Sequence, residues 1–157
     1  MTEVDDPLRE IKVSIFGSSR PPSRSCVQFF ADVMRWPVDA LVTRTKADSG
    51  EFEYHIAWLK GRAIGFASFE HTDGEQQLAA MVHPLESVVR VEVAGKISND
   101  DGFTQTVTRS MTLHFAAGES LTVDPATFTE WTQRETVAPF IDAVLDAITN
   151  SSGTSNG

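Results

Sequence analysis

The sequence predicts an α+β fold: a strongly bent antiparallel sheet of about seven strands, capped by a C-terminal helix, with an extra strand and helix at the N-terminus. Three observations carry this expectation. Val137, Phe140, Ile141, Val144, Leu145 and Ile148 recur at the spacing of one helix face. Alternating runs at Phe52 to Leu59 and Ala63 to Phe69 flank Lys60-Gly61, a hairpin signal because glycine adopts the positive φ of a tight turn. A second pair of runs, about Thr104 to Phe115 and Leu121 to Val123, meets at Ala117-Gly118.

Taken in order, residues 1–8 read as an acidic disordered tail, residues 9–149 as one globular domain and residues 150–157 as a polar disordered tail. Ile11 to Ile15 alternates apolar and polar residues, the pattern of a short half-buried strand. Gly17 to Ser23 is a loop by its Gly, Ser and Pro content. Ser23 or Ser25 is placed to cap the next helix by accepting a free backbone N–H. That helix carries Cys26, Phe29, Phe30 and Val33 on one face, extended by Trp36, and Pro37 ends it. Ala40 to Thr45 is a strand, and Gln77 to Val82 is a weaker one. In the strand Val88 to Val93, the residues Val89, Val91 and Val93 share a face. Ser98 to Gly102 is a loop. Asp124-Pro125 starts a short helix, with Asp as cap and Pro in the first position, and Phe128 and Trp131 supply its apolar side. Thr136 restarts the helix, and Pro139 falls in the first turn, where its missing N–H costs little. The closing helix buries its face by packing across the open end of the sheet.

The net charge of -9 argues against sequence-independent binding to nucleic acid or to an anionic membrane, which needs clustered cations. The charge is uneven. Arg9 to Arg62 holds nine basic and six acidic residues, whereas Ala63 to Gly157 holds four and thirteen. A dipolar chain of this kind can dock a basic partner on its acidic side. The one cysteine, Cys26, permits no internal disulfide and reads as a buried structural thiol among Val27, Phe29 and Phe30. The first residues lack the basic and apolar regions of a leader, and no stretch reaches the roughly 18 apolar residues of a membrane span, so a cytoplasmic location is expected.

Chemistry-bearing motifs are sparse. His55, His71, His83 and His114 show no metal-ligand spacing, and no phosphate loop, dinucleotide fingerprint or nucleophile elbow occurs. No catalytic residue, metal or cofactor is expected. Gly17-Ser18-Ser19-Arg20 lies between a strand and a helix, where backbone N–H groups can hold an anion, and Arg20 and Arg24 would add charge. Arg35, Arg44 and Lys46 join them in one basic patch if the first helix lies beside the first long strand. Lys60 and Arg62, at the hairpin turn, complete the binding candidates.

Two families share this order of elements. His83-Pro84-Leu85-Glu86-Ser87-Val88 leading into a strand, the hairpin through Ala117-Gly118, and Phe140-Ile141-Asp142-Ala143-Val144-Leu145 resemble the bacterial pleckstrin-homology-like (PH-like) domains and the related GRAM domains, over residues 40–148 or so. That resemblance implies a seven-stranded bent sheet capped by one helix, a non-enzymatic binding function and no catalytic residues. The basic lipid-binding loop of eukaryotic members has no clear counterpart near Lys60 and Arg62. The N-terminal strand and helix, the curved sheet and the long closing helix are also similar to the helix-grip fold of START-type ligand-binding proteins. This second likeness implies an apolar cavity with convergent polar groups, His55 or His114 among them.

Three functions follow as expectations. The first is a non-enzymatic interaction module for a protein partner. The second is a small-molecule or lipid carrier with an internal apolar cavity. The third is an acidic inhibitor or immunity-type protein that gathers Glu86, Asp100, Asp101 and Glu119 on one surface.

Overall fold

The computed structural model describes residues 10–11, 24–48, 51–72, 75–99, 105–129 and 131–153. The elements are α1 (Arg24–Met34), β1 (Ala40–Asp48), β2 (Glu51–Lys60), β3 (Ala63–Thr72), β4 (Glu75–Pro84), β5 (Val88–Asn99), β6 (Gln105–Phe115), β7 (Ser120–Val123), α2 (Trp131–Arg134) and α3 (Val137–Gly153). Single 3-10 turns occupy Leu85–Ser87 and Pro125–Thr127. The seven strands form two antiparallel sheets in chain order, β1-β2-β3-β4 and β5-β6-β7. The 3-10 turn at Leu85–Ser87 separates them, so the expected single bent sheet is two.

Side chains on a strand alternate between faces, so the register of the first sheet sorts its residues into cross-strand rows. On one face lie Ala40-Leu59-Ile64-His83, then Val42-Ala57-Phe66-Met81, then Arg44-His55-Ser68-Ala79, then Lys46-Glu53-Glu70-Gln77. On the other lie Leu41-Trp58-Gly65-Val82, Thr43-Ile56-Ala67-Ala80 and Thr45-Tyr54-Phe69-Leu78. The second face is covered by α1, whose Cys26, Val27, Phe30 and Met34 pack with Tyr54, Ile56, Trp58 and Phe69. The buried stripe of α1 is thus turned toward Val27 and Met34, and the expected Phe29 and Val33 lie only half-buried at its edge. Arg35 leaves the helix at φ +58, and its N–H and that of Trp36 both bond to the Ala31 carbonyl, closing the last turn before Pro37.

The first face is covered by the second sheet and α3. Met111, Leu113, Phe115 and Val123 meet Val42, Ala57, Leu59 and Ile64. Val137, Phe140, Ile141 and Val144 of α3 close the same cluster. Several polar contacts pin these layers. The His83 ring stacks on Phe115 at 4.1 Å, and its Nε2 stands 3.2 Å from Glu119 Oε2. Arg62 donates to Glu86 and to the Ala147 carbonyl, joining the β2–β3 turn to α3. Gln133 of α2 accepts from the Thr45 N–H and donates to Thr45 Oγ1, which occupies the outer edge of β1.

Four expectations are corrected. Ile11 is helical, together with Glu10, where a strand over Ile11 to Ile15 was expected, and the remainder of that run lies outside the described residues; so short an alternation does not separate a strand from a buried helical turn. Val89 leaves the valine face, because a bulge between Val88 and Arg90 inserts one extra residue and turns it outward. The segment after Asp124 begins as a 3-10 turn, although Asp124 does accept from the Ala126 N–H as a cap. The C-terminal helix runs on through Gly153, past the expected start of the polar tail at Asn150.

Trp58 lies flat across Gly65, where a Cβ would come 2.2 Å from the indole Cζ2. Gly65→Ala is therefore expected to lower stability by about 1–3 kcal/mol, the usual cost of overpacking a filled core, measured by urea unfolding. Burial pushes the Cys26 thiol up to about 12. At pH 8 a disulfide reagent should leave Cys26 unmodified in the native protein and label it fully in denaturant.

Candidate functional site

On the first face of the four-stranded sheet, the second row holds Val42, Ala57, Phe66 and Met81, and the third holds Arg44, His55, Ser68 and Ala79. Ala57, Ser68 and Ala79 are short. These short side chains leave a crevice of about 340 Å³. Its far wall is Leu121 and Val123 of β7 with Thr127 and Phe128 of the following turn. The Asp124 cap fixes that turn, and the buried Phe128 anchors it in the core.

The crevice is apolar at its inner end and polar along one lip. Arg44, His55 and Ser68 stand side by side in the third row. Among the described residues no hydrogen bond or ion pair joins the half-buried Arg44 side chain to a partner, although it lines the crevice. Beside it, His55 Nε2 is 3.8 Å from Glu53 Oε2. Burial lowers the His55 pKa below its ordinary 6.5, and the neighbouring Arg44 charge lowers it further, against the opposing pull of Glu53 and Glu70. His55 is accordingly neutral at pH 7. Ser68, His55 and Glu53 are the residue types of a nucleophilic relay, but the relay is not assembled. No hydrogen bond links Ser68 to His55, and the His55–Glu53 separation exceeds hydrogen-bond reach.

The binding residues expected from sequence do not form one patch. Arg20 and the whole Gly17–Arg20 loop lie outside the described residues. Arg24 and Arg35 sit exposed at opposite ends of α1, about 16 Å apart at 1.5 Å per residue. The helix does lie against the sheet, but Arg44 and Lys46 belong to the opposite face. Lys60 donates to the Pro37 carbonyl, and Arg62 is held by Glu86, so both serve the β2–β3 turn. His114 does not line the crevice; its Nε2 stands 3.5 Å from Glu92 on the other side of the second sheet. Of the four acidic residues proposed for a docking surface, Glu86 and Glu119 are engaged by Arg62 and His83, and Asp100 and Asp101 lie outside the described residues. Sequence reasoning missed Ser68, Ala79 and the β7 wall. Only the strand register places them in one crevice, though the small residues in otherwise bulky strands were a visible signal.

Among the described residues, no group of three or more His, Cys, Asp and Glu side chains is placed to hold a metal ion. No described helix is long and apolar enough to cross a membrane. No family model, curated protein or solved structure matches this chain.

The depressed His55 pKa fixes the sign of a pH effect. Below about 6.5 the unfolded chain takes up a proton that the folded His55 refuses, so this contribution is full above 6.5 and is lost as pH falls through the folded value. Urea titrations between pH 5 and 8 should show stability falling on the acid side, less steeply in His55→Gln. A histidine NMR titration should place the His55 midpoint below 6.5.

Proposed function

We propose that this chain is a non-enzymatic binding module of the PH-like kind, and that its ligand is a small apolar molecule with one anionic head group, held in the crevice beside Arg44. The observation that carries this reading is the Arg44 guanidinium, half removed from water at the lip of an apolar crevice without an anion among the described residues. Partial burial of a charge without a partner is unfavourable, and an entering carboxylate supplies the missing charge-assisted hydrogen bonds. The neutral His55 and the Ser68 hydroxyl offer further polar contacts without repelling an anion. The meander order of four and three strands closed by a C-terminal helix supports a PH-like module over a helix-grip carrier. The direct packing of α3 on Val42, Leu59, Met111 and Leu113 leaves solid core where a carrier would keep its cavity.

A second reading, a module for a protein partner, is favoured by the exposed Leu78, Met81 and Val82 along the outer strand β4. Native mass spectrometry on protein purified gently from its own cells separates the two. A small anionic adduct lost on denaturation supports the first, and a second polypeptide supports the second.

With decanoate as probe, calorimetry should show 1:1 binding. Arg44→Gln should weaken it about tenfold or more, in line with the ~1.5–3 kcal/mol of a hydrogen bond to a charged group. Ala79→Trp, which fills the crevice, should abolish it. Bound decanoate should also raise the His55 midpoint, because an anion nearby favours the imidazolium. Absence of binding by decanoate and by aromatic carboxylates, together with an adduct-free native mass, would overturn the reading.

A further inference from the structure

We propose that β5 is a self-association edge, and that two copies of this chain pair antiparallel along β5 in a register centred on Ala94. The strand is twelve residues long and pairs on one side only, with β6, among the described strands. The residues from Glu92 to Ile97 are all exposed, so no described element covers the outer edge. The edge of β1, by contrast, is occupied by Gln133. Exposed edges are commonly guarded by proline, by a bulge or by charged side chains. β5 has no proline, its one bulge lies at its start, between Val88 and Arg90, and its charges are of both signs, Arg90, Glu92 and Lys96, so they can pair across a two-fold axis.

Its charges select the partner. Two-fold antiparallel pairing keeps each face of the sheet continuous across the axis, so residues of like parity stand opposite each other. A register centred on Ala94 sets Glu92 against Lys96 twice, once on each side of the axis, and Arg90 against Ser98. It also sets Val91 against Ile97 twice. The Ile97 and Val107 side chains, 65% and 61% exposed in one copy, then extend the apolar row that Val91 and Leu113 begin in the other. Neighbouring registers are worse. Centring on Glu92 opposes it to itself, and centring on Val93 opposes Arg90 to Lys96 twice. Centring on Gly95 leaves Glu92 and Lys96 without opposite charges, and centring on Val91 runs into the bulge between Val88 and Arg90. The strand holds Arg90, Lys96 and Glu92 and is thus locally net positive in a chain of net charge -9.

The test is sedimentation equilibrium with three samples. The unaltered chain is expected to dimerise reversibly at tens of micromolar. E92K and K96E, each shown to be folded by circular dichroism, should each associate about tenfold or more weakly, because either change opposes like charges twice. An equimolar mixture of E92K and K96E should recover the dimer, since both crossing pairs are then opposite in sign. Ala94→Cys should cross-link copy to copy under mild oxidation, and Ala138→Cys, exposed on α3 away from the edge, should not. A chain that remains monomeric at hundreds of micromolar overturns the proposal. So does a dimer that neither charge reversal weakens, or a mixture that fails to recover it. If the charge variants do not fold, the two cysteine variants decide alone.

Discussion

Ile56, Ala57, Trp58 and Leu59 are consecutive in β2 and all buried, so the first sheet must be covered on both faces. An antiparallel sheet usually leaves one face to water. Here the alternation at β2 and β3 is apolar on both sides, and each side demands its own cover. Trp58 sets the terms on one face. Its indole fills the space that a side chain at position 65 would occupy, and α1 seats Phe30 and Met34 in the same cluster. On the other face, Leu59 and Ile64 call for an apolar lid. The second sheet and α3 supply it together.

The crevice follows from where that lid stops. α3 and the inward face of the second sheet cover the rows beginning at Ala40 and Val42. The row of Arg44, His55, Ser68 and Ala79 lies at the margin: Arg44 and His55 are too polar for a dry core, and Ser68 and Ala79 are too small to fill the space beneath β7. The ion-paired latches lie elsewhere. His83 with Glu119, Arg62 with Glu86 and Arg109 with Asp142 join layers around the core. Arg44, on the lip of the crevice, is left out of these pairings.

Much of the fold was legible because its signals are local. The helix face from Val137 to Val144, the hairpin at Gly61 with φ +57 and the turn at Gly118 with φ +99 each need only a few neighbouring residues to specify them. The candidate site was legible in part. Arg44 and His55 were singled out, but Arg44 was grouped with Arg24 and Arg35, because sequence distance does not report which face of a strand a residue takes. One residue of register decides that. The shift at Val89 shows the same limit in miniature: the valine alternation is regular in sequence, and a single bulge turns one valine to solvent.

The sequence by itself determined the element types, the antiparallel pairing of neighbours and the closing helix, because period and turn chemistry act over a few residues. It also determined a low density of chemistry-bearing motifs. Only the tertiary structure decided that the strands divide into sheets of four and three, that α1 and α3 lie on opposite faces of the first sheet, and that Arg44, His55 and Ser68 stand in one row facing β7. Those outcomes depend on contacts between residues far apart in the chain. Volume and register across the layers fix them, and neither quantity is visible in any one segment.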